Sequence, residues 1–207
     1  MIRTSSELYA KLTCDFNSQE YVLCDLHKPC NKKPIGHRCK SVLTYPIINF
    51  DEVKTENQRG KSGDPKSSVD GFTCKNQLFC FVELKGWTDF LTFHANPDTL
   101  QAEIDAQIGK YDLNKKLMDS MAICREISEN PDIFKNASIA FILVTDIDID
   151  EDGTMELLSN LMGLGETSSD WETICNRGLK NKLSSLPSDI STYYITCQKF
   201  DDTMSKL

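Results

Sequence analysis

The stretch that most constrains this chain is LFCFVELK, residues 78–85. Strand side chains alternate between the two faces of a sheet. Leu78, Cys80, Val82 and Leu84 therefore share one face, and Phe79, Phe81, Glu83 and Lys85 share the other. The first face is wholly apolar. The second begins aromatic and ends in an acid and an amine. A similar run at 69–74, VDGFTC, precedes it across the polar triplet Lys75, Asn76 and Gln77. The two runs read as a hairpin. With the turn at 75–77, Asp70 falls opposite 82–83, where its carboxylate and that of Glu83 come within reach of one ion.

The surrounding pattern is mixed. Thr4-Ser5-Ser6-Glu7 has the form of a capping box and predicts a helix over about 5–14. Residues 19–25 read as a short strand and 41–53 as strand-like, with Pro46 at a break, bulge or edge. The polar segment 54–68 reads as a surface loop. After Trp87 the spacing turns helical: Asn96-Pro97-Asp98 opens a helix, and Leu100, Ile104, Ile108, Tyr111, Leu117, Met121, Cys124 and Ile127 carry one long helix or two abutting ones to about 129. SIAFILVTDI at 138–147 suits a strand buried on both faces. Helices are expected at about 154–162 and 170–184, and a last strand at 191–200. The whole reads as a single α/β domain over 1–207, with helices packed against one sheet.

Composition narrows the class. The 207 residues are 40% hydrophobic and 26% charged, as in ordinary soluble globular proteins. The N-terminus lacks the apolar core of a signal peptide, and the longest apolar run, IAFILV at 139–144, is too short to span a bilayer. A cytoplasmic location with no membrane partner is the expectation, and nine cysteines then read as free thiols or metal ligands. The net charge of −8 argues against a nucleic-acid partner, but its distribution is uneven. Residues 21–68 hold nine basic against five acidic side chains, and residues 144–207 hold five against twelve. A local basic surface can hold phosphates while the acidic third faces elsewhere.

The hairpin also carries the chemistry. Two carboxylates, Asp70 and Glu83, suit a divalent cation such as Mg²⁺ or Mn²⁺, which takes oxygen ligands. Such an ion neutralises a phosphodiester oxygen and lowers the pKa of a bound water. Lys85, on the same face as Glu83, can orient the water or stabilise transition-state charge. Two further acid-x-lysine triplets, Glu52-Val53-Lys54 and Asp64-Pro65-Lys66, lack an acid at hairpin distance or a strand to carry them. Downstream, Gln107 and Tyr111 stand four apart on one helical face flanked by Ile104 and Ile108. A Gln amide beside an apolar stripe needs a partner, either an active site or a neighbouring loop.

Asp70, Glu83-Leu84-Lys85 and Gln107-x-x-x-Tyr111 together resemble the PD-(D/E)xK nuclease superfamily, particularly its RecB-type members. The motifs span about 69–111, with Val69 in place of the family's Pro. The resemblance implies a restriction-endonuclease-like core, a central mixed sheet flanked by helices. It implies Mg²⁺ on Asp70 and Glu83, Lys85 as the catalytic lysine, and Gln107 and Tyr111 supporting the site or the nucleic-acid backbone. The family's additional helical Glu has two counterparts here, Glu7 and Glu20. The implied function is phosphodiester hydrolysis of DNA, or else RNA, in defence or repair. The alternative is a non-catalytic nucleic-acid or protein-binding module that retains the fold.

Other motifs compete less well. Cys24, His27, Cys30, His37 and Cys39 offer five zinc ligands in sixteen residues, in a spacing that fits no common module. Such a site would make the chain a zinc-containing interaction domain; otherwise the segment is a basic loop with buried or free thiols. Asp148-x-Asp150-x-Asp152-Gly153 imitates an EF-hand loop but has Ser159 where the closing Glu belongs, and reads as an acidic turn. Trp87 and Trp171 are expected to pack in the core or at its boundary rather than to serve as base-stacking platforms.

Overall fold

The computed structural model describes residues 2–15, 20–26, 43–93, 97–149 and 168–207. Its elements are α1 (Ser5–Asp15), β1 (Glu20–Tyr21), α2 (Leu23–Leu26), β2 (Ile47–Asn49), α3 (Phe50–Gln58), β3 (Gly71–Lys75), β4 (Leu78–Lys85), α4 (Thr88–Phe93), α5 (Pro97–Gly109), α6 (Leu113–Ser128), β5 (Ile139–Thr145), α7 (Ser168–Leu183), β6 (Ser191–Thr196) and α8 (Phe200–Lys206). The described strands form one six-stranded sheet in the order β1-β2-β3-β4-β5-β6. The first four strands pair antiparallel, and β4-β5 and β5-β6 pair parallel. The chain is thus α/β, with a mixed sheet flanked by helices.

The alternation read from β4 sorts the core. Phe79 and Phe81 join Phe72, Phe141 and Leu143 in one cluster, which is covered by Leu8 and Leu12 of α1, Phe50 and Val53 of α3, Ile104 of α5, Leu117 of α6 and Leu179 of α7. Cys80, Val82 and Leu84 join Ala140, Ile142 and Val144 in the other, beneath Leu23 of α2 and Phe200 and Met204 of α8. β5 is buried at every position, as expected of a central parallel strand. Trp87 and Trp171 are both core residues.

The hairpin register places Gly71 against Val82, so Asp70 stands opposite Glu83. The turn is tighter than the triplet suggests. Lys75 pairs with Leu78, leaving Asn76 and Gln77 as a two-residue loop with φ of 48° and 68°. Positive φ at both positions is the type I′ geometry that matches strand twist.

Four expectations are corrected. Residues 41–53 are not one strand: β2 is three residues long, begins right after Pro46, and gives way to α3 at Phe50. The Asn49 side chain accepts from the Asp51 amide and caps that helix, while the Phe50 amide donates to the Asp70 carbonyl. Segment 54–68 therefore starts as helix, and only its later part is loop. Residues 19–25 form the two-residue β1 and the helical turn α2. The last strand ends at Thr196, and the chain finishes in a 3-10 turn (Cys197–Lys199) and α8. The helix expected at 154–162 lies outside the described residues.

Candidate active site

β4 and the residue before β3 bring the two carboxylates together. Asp70 Oδ2 accepts the Leu84 amide at 2.6 Å, which fixes the carboxylate against the neighbouring strand. Glu83 is fully buried. Its Oε1 accepts from Lys85 Nζ and, at 2.6 Å, from Lys116 Nζ. The same Lys116 ammonium lies 4.0 Å from Asp70 Oδ1. A cation therefore stands between the two acids, and a side chain supplies it.

Lys85 is held from a second direction. Its Nζ sits 4.6 Å from the centroid of the Tyr111 ring. Tyr111 in turn packs against Trp87 with the rings steeply inclined, 6.1 Å between centroids, and its hydroxyl accepts from Gln107 Nε2 at 3.3 Å. All five residues singled out in the sequence, Asp70, Glu83, Lys85, Gln107 and Tyr111, thus form one contiguous set. One detail differs from expectation. α5 ends at Gly109, so Tyr111 lies in the short link between α5 and α6 rather than on the helix with Gln107. A turn, with the Tyr111 amide bonded to the Ile108 carbonyl, keeps the two side chains adjacent.

Exposure grades across the set. The Glu83 side chain is 0% exposed and Lys85 13%, whereas Asp70 and Lys116 are 27% and 29% exposed. Solvent reaches the site past Asp70 and Lys116. Burial pushes the Glu83 carboxyl above its ordinary range, the Asp70 charge pushes the same way, and the two lysines oppose them. Ionising Glu83 therefore costs stability as pH rises from its ordinary 4.5 through its raised value.

The donor set fits a divalent ion. Glu83 Oε2 is buried and has no hydrogen-bond partner among the described residues. A buried carboxylate oxygen left unsatisfied is costly, and here it lies on the same carboxylate that already faces a cation. Asp70 and Glu83 would hold the ion. Among the described residues no group of three His, Cys, Asp or Glu side chains is close enough to hold a metal, so water and substrate would complete a Mg²⁺ shell, as is usual for that ion.

Sequence reasoning missed two participants. Lys116 lies in the first turn of α6, in the polar stretch Asn114-Lys115-Lys116. Asp51, in the first turn of α3, accepts from Lys54 Nζ at 2.7 Å and from the Ser68 hydroxyl. Burial pushes the Asp51 carboxyl up, but those two hydrogen bonds outweigh it and hold the group below its ordinary range, with the Lys116 charge adding to the effect. The signal was faint: both residues sit in polar helical turns that read as solvated faces.

The remaining candidates stand apart. Glu7 closes the expected capping box, accepting the amides of Arg3 and Thr4. Glu20 accepts the Tyr9 hydroxyl at 2.9 Å. Cys24 lies on α2, and His27, Cys30, His37 and Cys39 lie outside the described residues. The Asp148 carbonyl accepts from Asn176 Nδ2 at 2.8 Å, and Asp150 and Asp152 are likewise outside the described residues. No helix among the described residues is long and apolar enough to cross a membrane. The chain matches no protein-family model, no curated protein and no solved structure.

Proposed function

We propose that the chain is a Mg²⁺-dependent nuclease that hydrolyses phosphodiester bonds of DNA, built on a restriction-endonuclease-like core of the PD-(D/E)xK type. The observation that carries this reading is the pair Asp70 and Glu83 bracketing a cation, with Lys85 beside them on the same strand face. When bound between the carboxylates, Mg²⁺ or Mn²⁺ supplies charge neutralisation at a phosphodiester oxygen and a more acidic water.

The chain's own residues do the rest. The Leu84 amide fixes Asp70, and burial fixes Glu83, so the two carboxylates need little reorganisation on binding. The Tyr111 ring and the Glu83 carboxylate hold the Lys85 ammonium between them, where it orients an attacking water or meets negative charge on the phosphorane-like transition state. Gln107 holds the Tyr111 hydroxyl and so sets the ring that Lys85 rests on. The substrate backbone approaches from the open side, past Asp70 and Lys116. Incubating the protein with single-stranded DNA, duplex DNA and RNA, each with Mg²⁺ or Mn²⁺, tests the reading. Metal-dependent cleavage of DNA supports it, and no cleavage of any substrate with either metal argues against it.

A second reading has its own observation. Two carboxylates meet two ammonium groups in this cluster, so its charges balance with no added ion. On that reading the chain is a nucleic-acid or protein-binding module, and the cluster serves only to lock β4 to α6. Salt-dependent DNA binding that is indifferent to Mg²⁺ would favour it.

A further inference from the structure

Two ammonium groups share Glu83 Oε1, and they are held very differently. Lys85 projects from the middle sheet strand β4, is 13% exposed, and is capped by the Tyr111 ring. Lys116 reaches in from the first turn of α6, is 29% exposed, and has no aromatic face against it among the described residues. Its Nζ is 2.6 Å from Glu83 and 4.0 Å from Asp70, on the solvent-accessible side of the pair. A lysine stem has four rotatable bonds, and its ammonium needs no fixed geometry. Lys116 is thus the cation that can leave, and the place that it occupies lies between the two carboxylates proposed to hold metal.

We propose that Lys116 is a built-in counter-ion that competes with a divalent cation for Asp70 and Glu83. The inference rests on the reading of that pair as a metal site, and it assigns Lys116 a positioning role that is absent from the motif residues. Without metal, the ammonium offsets the repulsion between two carboxylates, one of them buried. When metal arrives, Lys116 swings out towards solvent and towards Asp51, whose charge it already feels. The site is then competent for metal only in the fraction of molecules whose Lys116 is displaced, and the apparent metal affinity falls by that fraction.

Titration calorimetry with Mn²⁺ alone, on the full chain, reads this directly. Wild type is compared with Lys116→Met, Lys116→Gln and Lys116→Arg, with circular dichroism confirming the fold of each. The methionine and glutamine variants are expected to bind Mn²⁺ at least about fivefold more tightly than wild type, and the arginine variant about as weakly as wild type. Mn²⁺ should also raise the melting temperature of the methionine variant more than that of wild type. Equal or weaker Mn²⁺ affinity in the folded methionine and glutamine variants overturns the competition while leaving the metal site standing. No Mn²⁺ binding by wild type or any variant overturns both the competition and the metal-site reading. If the methionine variant does not fold, the glutamine variant decides.

Discussion

The Lys85 ammonium lies 4.6 Å from the centre of the Tyr111 ring, so the amine of the β4 triplet and the tyrosine of the downstream motif are a contact pair. Cation–π contacts contribute about 0.5–2 kcal/mol, more when desolvated. Tyr111→Phe keeps the ring and removes only the acceptor for Gln107. It is expected to cost under about 1 kcal/mol, the worth of one ordinary hydrogen bond. Tyr111→Leu removes the face itself and should cost about 2–4 kcal/mol, mostly from lost aromatic packing. Urea denaturation of both variants measures the difference. Equal losses would mean that the ring face does not hold Lys85.

Gly71 follows Asp70 directly, and a Cβ there would stand 2.3 Å from Ile47 Cδ1 and 2.8 Å from Ile47 Cγ1. Ile47 is fully buried on the neighbouring strand β2 and has little room to yield. Gly71→Ala is therefore expected to destabilise by about 1–3 kcal/mol through overpacking. It should also displace Asp70 and weaken divalent-ion binding. Pairing it with Ile47→Ala makes room for the added methyl, so the double variant should be more stable than the sum of the single losses predicts. Strict additivity in a double-mutant cycle would count against this account of the close approach.

The hairpin loop carries a strain that can be relieved. Gln77 has φ of 68°, a left-handed conformation that L-residues adopt at a cost. Gln77→Gly removes that cost and completes the Asn-Gly pair favoured in type I′ turns. Stability should rise by about 0.5–1 kcal/mol, net of the greater freedom glycine has in the unfolded chain. The loop is at the far end of the hairpin from Asp70 and Glu83, so activity should not change. A loss of stability would contradict the turn geometry.

The segment between α3 and β3 is tied to α6 by carboxylates. Glu126 pairs with Lys61 and Lys66, and Asp119 accepts the Ser67 amide at 2.8 Å and pairs with Lys115. Burial pushes both carboxyls up, but these partners outweigh it and hold them below their ordinary values of 4.5 and 3.8. A lowered carboxylate contributes stability that is present above its ordinary value and lost as pH falls through the lower, folded value. Exposed pairs are screened by solvent and individually worth little, so the global melting point should move little. Amide exchange at Ser67, followed by NMR from pH 6 to pH 3, should lose protection before the core strands do. Protection that persists until the whole fold unfolds would refute the tether.

Much of the site was legible because strand alternation is strict. A period of two places Glu83 and Lys85 on one face, and a short turn fixes Asp70 opposite Glu83, so counting alone brought them together. The Gln107–Tyr111 contact was also legible, though for an inexact reason: a turn rather than continued helix sets it. What escaped were the helical participants. Phe50–Gln58 follows the β-prone pair Ile47-Ile48, and its polar content hides a start that depends on the Asn49 cap. Lys116 looks like any lysine on a solvated helix face, because its role depends on where α6 docks against β4, and no local pattern encodes that docking. The C-terminal α8 was lost for a related reason. β6 leads straight into Cys197–Lys199 and Phe200, with no glycine or proline to mark the change, and Phe200 and Met204 are buried only because they meet the second face of the sheet.

On the proposed function, Asp70, Glu83 and Lys85 cut phosphodiester bonds with a divalent ion. Conversion of supercoiled plasmid to nicked circle tests it most directly, with Mg²⁺, with Mn²⁺ and with chelator, for wild type, Glu83→Gln and Lys85→Met, each shown by circular dichroism to be folded. Wild type should nick in a metal-dependent manner, and each variant should lose about 100-fold or more of that activity. Nicking that survives both substitutions, or that proceeds undiminished in chelator, would contradict it.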